Sequence, residues 1–290
     1  MIQLLLNLGL ATIMFEVGLT LTAQDFHRLL ETPRAVITGL GAQMVLLPAI
    51  AAGLLIAFPT TPEMTVGVLL IAAAPGGVTS NLMTLLARGD VALALTITAL
   101  STVASTITLP LIVDSGASLL GTAGLAFAMP VGMMMRGITL TTLLPLAIGM
   151  AARHYWPGAA LRWEPRLRRV STLVFAAIVV VTFAANADTF KTHAGTVGPL
   201  LLLLNVLAMC GAAGLARLNR LDRRATIAIS FETGLQNAAL AIYLAIAVLQ
   251  QPAFAVPAII YAAAMNVSVI AVLAALGLRR LNVPAVEKNA

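Results

Sequence analysis

The chain has 290 residues, 60% of them hydrophobic and only 10% charged, with a formal net charge of +6. A soluble domain is about half apolar and a quarter charged, so this composition excludes one and points to an all-α membrane protein crossing the bilayer several times. The basic residues lie between apolar runs without interleaved aromatics, which makes them topology signals and excludes nucleic acid as a partner. Cys210 is the single cysteine and lies in an apolar run, so neither an intramolecular disulfide nor a multi-cysteine metal site is expected. His27, His154 and His193 fall in separate polar connections, which argues against a histidine metal cluster. The chain enters its first apolar run at Ile2 without a basic leader, and that run is long enough to span, so no cleavable signal is expected.

Nine spans are predicted, at roughly 2–21, 35–57, 65–87, 91–113, 137–153, 170–187, 197–217, 224–249 and 255–278. In the first, Glu16 is read as structural, close enough to the inner end to snorkel. In the third, Pro75-Gly76-Gly77-Val78-Thr79-Ser80-Asn81 interrupts the apolar run midway. Proline removes a helical hydrogen bond and glycine tolerates unwound backbone. The apolar stretch 121–135 contains Pro130, and either lies at the interface or forms a partial span leading into the fifth. Met133, Met134 and Met135 read as apolar filler. Trp156, Trp163 and Tyr155 fit an interfacial belt, and 281–290 reads as a short solvated tail. An N-terminus outside the membrane puts all 17 lysines and arginines inside except Arg136 and Lys191, so the C-terminus is predicted inside.

The eighth span holds the stretch that organises the rest, Phe231-Glu232-Thr233-Gly234-Leu235-Gln236-Asn237. A carboxylate at bilayer depth costs about 2.5–3.5 kcal/mol, so Glu232 is expected to have partners or a task. No lysine or arginine lies in the neighbouring spans to neutralise it. Two broken spans in corresponding places are the best sequence pointer to a transporter site. They divide the chain into two halves, 1–116 and 121–280, of four and five spans, with the broken segments oppositely oriented as an inverted repeat requires. Gln43, followed by Pro48 in the second span, has a loose counterpart in Asn205 of the seventh.

Unwound helices expose N–H groups that suit an anion and carbonyls that suit a cation. Glu232, Gln236, Gln43, Ser80, Asn81 and Thr98 supply oxygen ligands without sulfur or imidazole, a set that reads as sodium rather than zinc or copper. For Thr98, Ser101, Thr106 and Asn205 the alternative is plain hydrogen bonding between helices. Asn266 stays open between helix glue and site lining. A membrane enzyme is disfavoured, since the spans hold no spaced Ser/His or Asp pair and no HExxH.

Several motifs together resemble the bile acid:sodium symporter family, over nearly the whole chain. They are Pro75-Gly76-Gly77 through Ser80-Asn81, Arg88-Gly89-Asp90-Val91-Ala92-Leu93, Thr98-Ala99-Leu100-Ser101-Thr102, and Glu232-Thr233-Gly234-Leu235-Gln236-Asn237. Met14-Phe15 with Gly18-Leu19-Thr20-Leu21 and Asp25-Phe26 resembles the family's early segment. The resemblance implies a panel of spans packed on a core bundle in which two broken helices cross. It implies a first sodium site at Ser80, Asn81, Thr98 and Glu232, with a further contact at the position of Ala94. It implies a second at Gln43, Glu232 and Gln236 with carbonyls of Thr233 and Leu235. An organic anion would sit near Val78, Thr79, Ser80, Asn81 and Asn237, with Asn266 as a neighbour. This sequence has Ala94 where members often carry a hydroxyl, Val78 where many bacterial members carry Thr, and Met265 where some carry His. By that resemblance Ala94 would cost the first sodium site one ligand, leaving either a water in its place or a weaker site.

The expectation is therefore a sodium-coupled symporter of a bile acid-like or small carboxylate solute, working by alternating access in a bacterial inner membrane. It would have membrane lipid as its surroundings and no obligate protein partner. The rivals are a transporter coupled to protons through Glu232, and a membrane sensor that binds an anion without transporting it.

Overall fold

The computed structural model describes residues 2–122 and 130–275. Among them the regular structure is all helical, and the β-like contact is an isolated bridge between Gly76 and Gln236. The chain begins with α1 (Ile2–Thr20), the short amphipathic α2 (Ala23–Glu31) and α3 (Pro33–Ala57). The first broken pair follows, α4 (Pro62–Ala73) and α5 (Val78–Leu86), and then α6 (Val91–Leu119). Three long helices come next, α7 (Val131–Tyr155), α8 (Pro157–Ala185) and α9 (Ala187–Leu218). The second broken pair is α10 (Arg223–Gly234) and α11 (Ala238–Val248), and α12 (Val256–Ala275) closes the described chain. Among the described residues six helical stretches are long and apolar enough to cross a bilayer: α3, α6, α7, α8, α9 and Pro252–Ala274.

Helix starts follow from local chemistry. Thr22 and Asp25 form a capping pair at α2, with the Thr22 N–H donating to Asp25 Oδ2 at 2.7 Å. Asp90, Asp222 and Asn237 cap α6, α10 and α11 by accepting from the N–H groups of Leu93, Ala225 and Leu240. Two long helices widen by a π turn just before a proline, α3 at Ala42–Leu46 ahead of Pro48 and α7 at Thr139–Leu143 ahead of Pro145. Proline lacks an N–H and its ring crowds the carbonyl one turn earlier, so the helix relaxes there. The widened turn of α3 carries Gln43, buried, on its inner face.

Several predicted boundaries shift. The fifth span begins at Val131 rather than 137, so the methionine run belongs to it, with Met134 buried and Met133 exposed. Residues 123–129 of the apolar stretch before it, and the predicted tail 281–290, lie outside the described residues. The basic stretch Arg162–Arg169, expected as a connection, is the first half of α8. Pro157 at the first helical position starts the helix, and the Leu, Arg and Glu content sustains it. At 29 residues α8 is about 43 Å long, against roughly 30 Å of hydrocarbon. His27, His154 and His193 likewise sit within helices rather than in connections.

α1 lies against α7 and α8, whereas α9 lies against α10 and α12, and α4 against α6 and α12. Gly18 and Gly149 bring α1 and α7 into backbone contact; a methyl group on either would strike the carbonyl of Leu146 or Phe15. That close approach fixes α1, and with it Glu16, against α7.

Candidate functional site

The two breaks meet. Residues 75–77 and 235–237 run antiparallel, with Gly77 N–H donating to Leu235 O at 2.6 Å and Asn237 N–H to Pro75 O at 2.9 Å. Each break thus satisfies the other's backbone, which irregular chain away from water requires. Their flanking carbonyls are treated alike. Gln43, from the preceding helix, serves the first: its Nε2 donates to Ala74 O at 2.9 Å, at the end of α4. Asn205, from the helix preceding the second pair, donates to Gly234 O at 2.7 Å, joined by the Tyr261 hydroxyl at 3.0 Å.

Glu232 lies in the last turn of α10 with no exposed surface. It accepts hydrogen bonds from Ser80 Oγ, in the first turn of α5, and from Thr98 Oγ1 of α6 at 2.7 Å. The same hydroxyls reach Gly77 O at 2.7 Å and Ala94 O at 3.0 Å. Each hydroxyl has one proton, so it serves the carboxylate or the carbonyl but not both. A carboxylate, two hydroxyls and two backbone carbonyls therefore converge. Gly76 must be glycine here, because a Cβ would overlap the Glu232 carboxylate. No cationic side chain pairs with Glu232 among the described residues, and no group of three or more His, Cys, Asp or Glu gathers there.

Beside it, Gln43 Nε2 donates to Gln236 Oε1 at 2.7 Å, and Gln236 Nε2 donates to Thr233 O at 2.6 Å. The structure thus joins Gln43, Gln236, Thr233 and Leu235 around one crossing, next to Ser80, Thr98 and Glu232. Asn81 stands apart from this cluster. It lines a cavity of about 330 Å³ together with Thr79, Gln236 and Asn237, and its buried Oδ1 has no hydrogen-bond partner. The side chain of Val78 lies outside the described residues. Asn266 is exposed and donates to Ala262 O of its own helix, while Met265 lines the cavity in its place. A one-residue step along α12 turns Asn266 about 100° away, which the sequence alone does not resolve.

The opposite cavity wall is one that sequence reasoning missed. Glu16 of α1 and Arg168, Ser171 and Phe175 of α8 face the space, with Arg168 Nε 3.5 Å from Glu16 Oε1. Arg168 also bonds to Glu164, one turn earlier on α8. The spacing of Arg168, Ser171 and Phe175 is the helical signal that could have revealed a shared face.

The Sodium Bile acid symporter family model matches residues 7–193. The chain belongs to that family. It is 31% identical over 268 residues to an uncharacterized sodium-dependent transporter of Bacillus subtilis, covering 91% of this chain and 80% of that protein. A probable chloroplastic sodium/metabolite cotransporter of Oryza sativa subsp. japonica is 27% identical over 260 residues, 87% of this chain and 59% of its own length. The ileal sodium/bile acid cotransporter of Homo sapiens is 26% identical over 245 residues, 80% of this chain and 66% of that protein. These are transporters, and the chain is a membrane transporter rather than an enzyme.

Proposed function

We propose that the chain is a sodium-coupled symporter that moves an organic anion across the membrane by alternating access. The observation that carries this reading is Glu232, a fully buried carboxylate with hydroxyls and carbonyls around it and no built-in cation. Such a group is stable when a mobile cation joins it. Ser80, Thr98, Glu232 and the carbonyls of Gly77 and Ala94 fit sodium as a hard cation with oxygen ligands. Ala94 brings no side-chain oxygen, but its carbonyl stands in that position. Gln43 and Gln236, with the carbonyls of Thr233 and Leu235, form the second oxygen cluster, and Asn81 contributes by reorienting from the cavity. The names of the Bacillus, rice and human relatives include sodium, which supports the same ion here.

The anion belongs in the adjoining cavity. The positive N-terminal end of α5 opens onto it, with the side chains of Thr79, Asn81 and Asn237 beside it. Nine spans follow if each broken pair counts as one and α1 as another, in halves of four and five. The matched roles of Gln43 and Asn205, each capping the end of the following half-helix, support an inverted repeat. The group α1, α7 and α8 forms the panel and the remaining spans the core. The N-terminus lies outside, in a bacterial inner membrane. Inward sodium then supplies about 2.3 kcal/mol per charge for each 100 mV.

The test is thermal stability of the purified protein in sodium against potassium at fixed ionic strength, with Glu232→Gln alongside. Sodium is expected to raise the midpoint of the native protein only. A midpoint indifferent to sodium but moved by pH through Glu232 would replace sodium with proton coupling.

A further inference from the structure

The cavity wall away from the crossing is a second polar surface, built from α1 and α8. Glu16 is 1% exposed, and its Oε1, although 3.5 Å from Arg168 Nε, has no hydrogen-bond partner. Arg168 is fixed from its other side by Glu164, so the guanidinium holds Glu16 in charge balance without satisfying that oxygen. Ser171 Oγ, on the next turn of α8 and also buried, has no partner either. Buried polar groups are nearly always hydrogen-bonded, and each one left open costs about 1–3 kcal/mol. Both residues line one wall of one cavity, so a small turn of either side chain brings its open group to a ligand there. Much of the remaining lining is apolar, including Leu82, Leu95 and Met265. A volume of about 330 Å³ holds roughly ten water-sized groups. The space therefore fits a molecule with a polar group at each end and carbon between.

We propose that Glu16, held by Arg168 and joined by Ser171, is a specificity site for a hydrogen-bond donor at the end of the transported anion remote from its carboxylate. The donor is a hydroxyl or an ammonium group, since Glu16 can only accept. The proposal rests on the anion-transport reading above, in which the carboxylate sits at the N-terminal end of α5. A hydrocarbon end at this wall would leave Glu16 and Ser171 unsatisfied, and sites built to hydrogen-bond a substrate reject analogues that lack the donor.

The probes are straight-chain carboxylates of roughly four to eight carbons, matched to the cavity size, in unsubstituted, ω-hydroxy and ω-amino forms. Each is titrated against the full-length protein in sodium, with the thermal midpoint as readout. At the best length a donor-ended acid is expected to bind about tenfold or more tighter than its unsubstituted counterpart. Glu16→Gln should collapse that ratio if the donor is ammonium and reduce it less if it is hydroxyl, while Ser171→Ala should reduce it by a smaller factor. Ser171→Ala leaves the ion pair intact, so the question stays answerable if Glu16→Gln does not fold. Unsubstituted acids that match donor-ended ones at every length would overturn the proposal and leave these groups to water. So would silence from every donor-ended acid, or a preference that survives both substitutions. The sodium-dependent rise is read on the same samples. If it is present while the acids fail, this proposal falls alone; if native protein lacks it, the underlying symport reading falls.

Discussion

Glu232 and Glu16 are both buried carboxylates in apolar helices, and they are handled in opposite ways. Glu16 has an arginine beside it, supplied by α8 and braced by Glu164. Glu232 has two hydroxyls, two nearby carbonyls and, among the described residues, no cationic side chain. Arg168 gives Glu16 a permanent counter-ion, whereas a buried carboxylate without one is costly to keep charged. The difference in partners, rather than in burial, is what supports proposing Glu232 and not Glu16 as the ion-coupling group.

The contrast can be broken most forcefully from the arginine side. Arg168→Gln leaves Glu16 buried without its counter-ion, and unfolding free energy should fall by about 3 kcal/mol, the low end for breaking a buried pair because Arg168 itself is 56% exposed. Adding Glu16→Gln to that variant should restore most of the loss, as seen in chemical or thermal unfolding of the double variant. Next in size is the sodium effect itself. At 100 times its dissociation constant sodium should stabilise native protein by about 2.7 kcal/mol, and Glu232→Gln should remove the response. In potassium the order should reverse, with Glu232→Gln the more stable of the two because no buried charge remains uncompensated.

Gly76→Ala sharpens the comparison geometrically. Its Cβ meets the Glu232 carboxylate, so stability should drop by about 1–3 kcal/mol and the sodium response should weaken with it. The smallest expected effect is Asn205→Ala. It removes one of two donors to Gly234 O, should lower stability by about 1 kcal/mol, and should do so equally in sodium and potassium. A sodium-dependent loss there would make Asn205 part of the ion site.

Much of the crossing was legible in the sequence because its signals are local. Proline and glycines beside polar residues mark each break, and Glu232 without a nearby lysine or arginine marks the charge. The matched roles of Gln43 and Asn205 were visible only as a loose correspondence, since both act on carbonyls about 30 residues further along. The opposite wall was not legible. Glu16 and Arg168 are 152 residues apart, and Arg168 sits in a basic stretch that charge patterning reads as a loop at the membrane face. Only the helical start at Pro157 turns that stretch into a face shared with Ser171 and Phe175. Asn266 shows the same limit in reverse, because a single position along α12 decides which residue meets the cavity.

The most direct measurement is equilibrium binding of radioactive sodium to purified native protein and Glu232→Gln. Saturable binding to native protein is expected, displaced by unlabelled sodium but not by potassium, with none to Glu232→Gln. Absence of saturable binding to native protein, or its survival in Glu232→Gln, would contradict it.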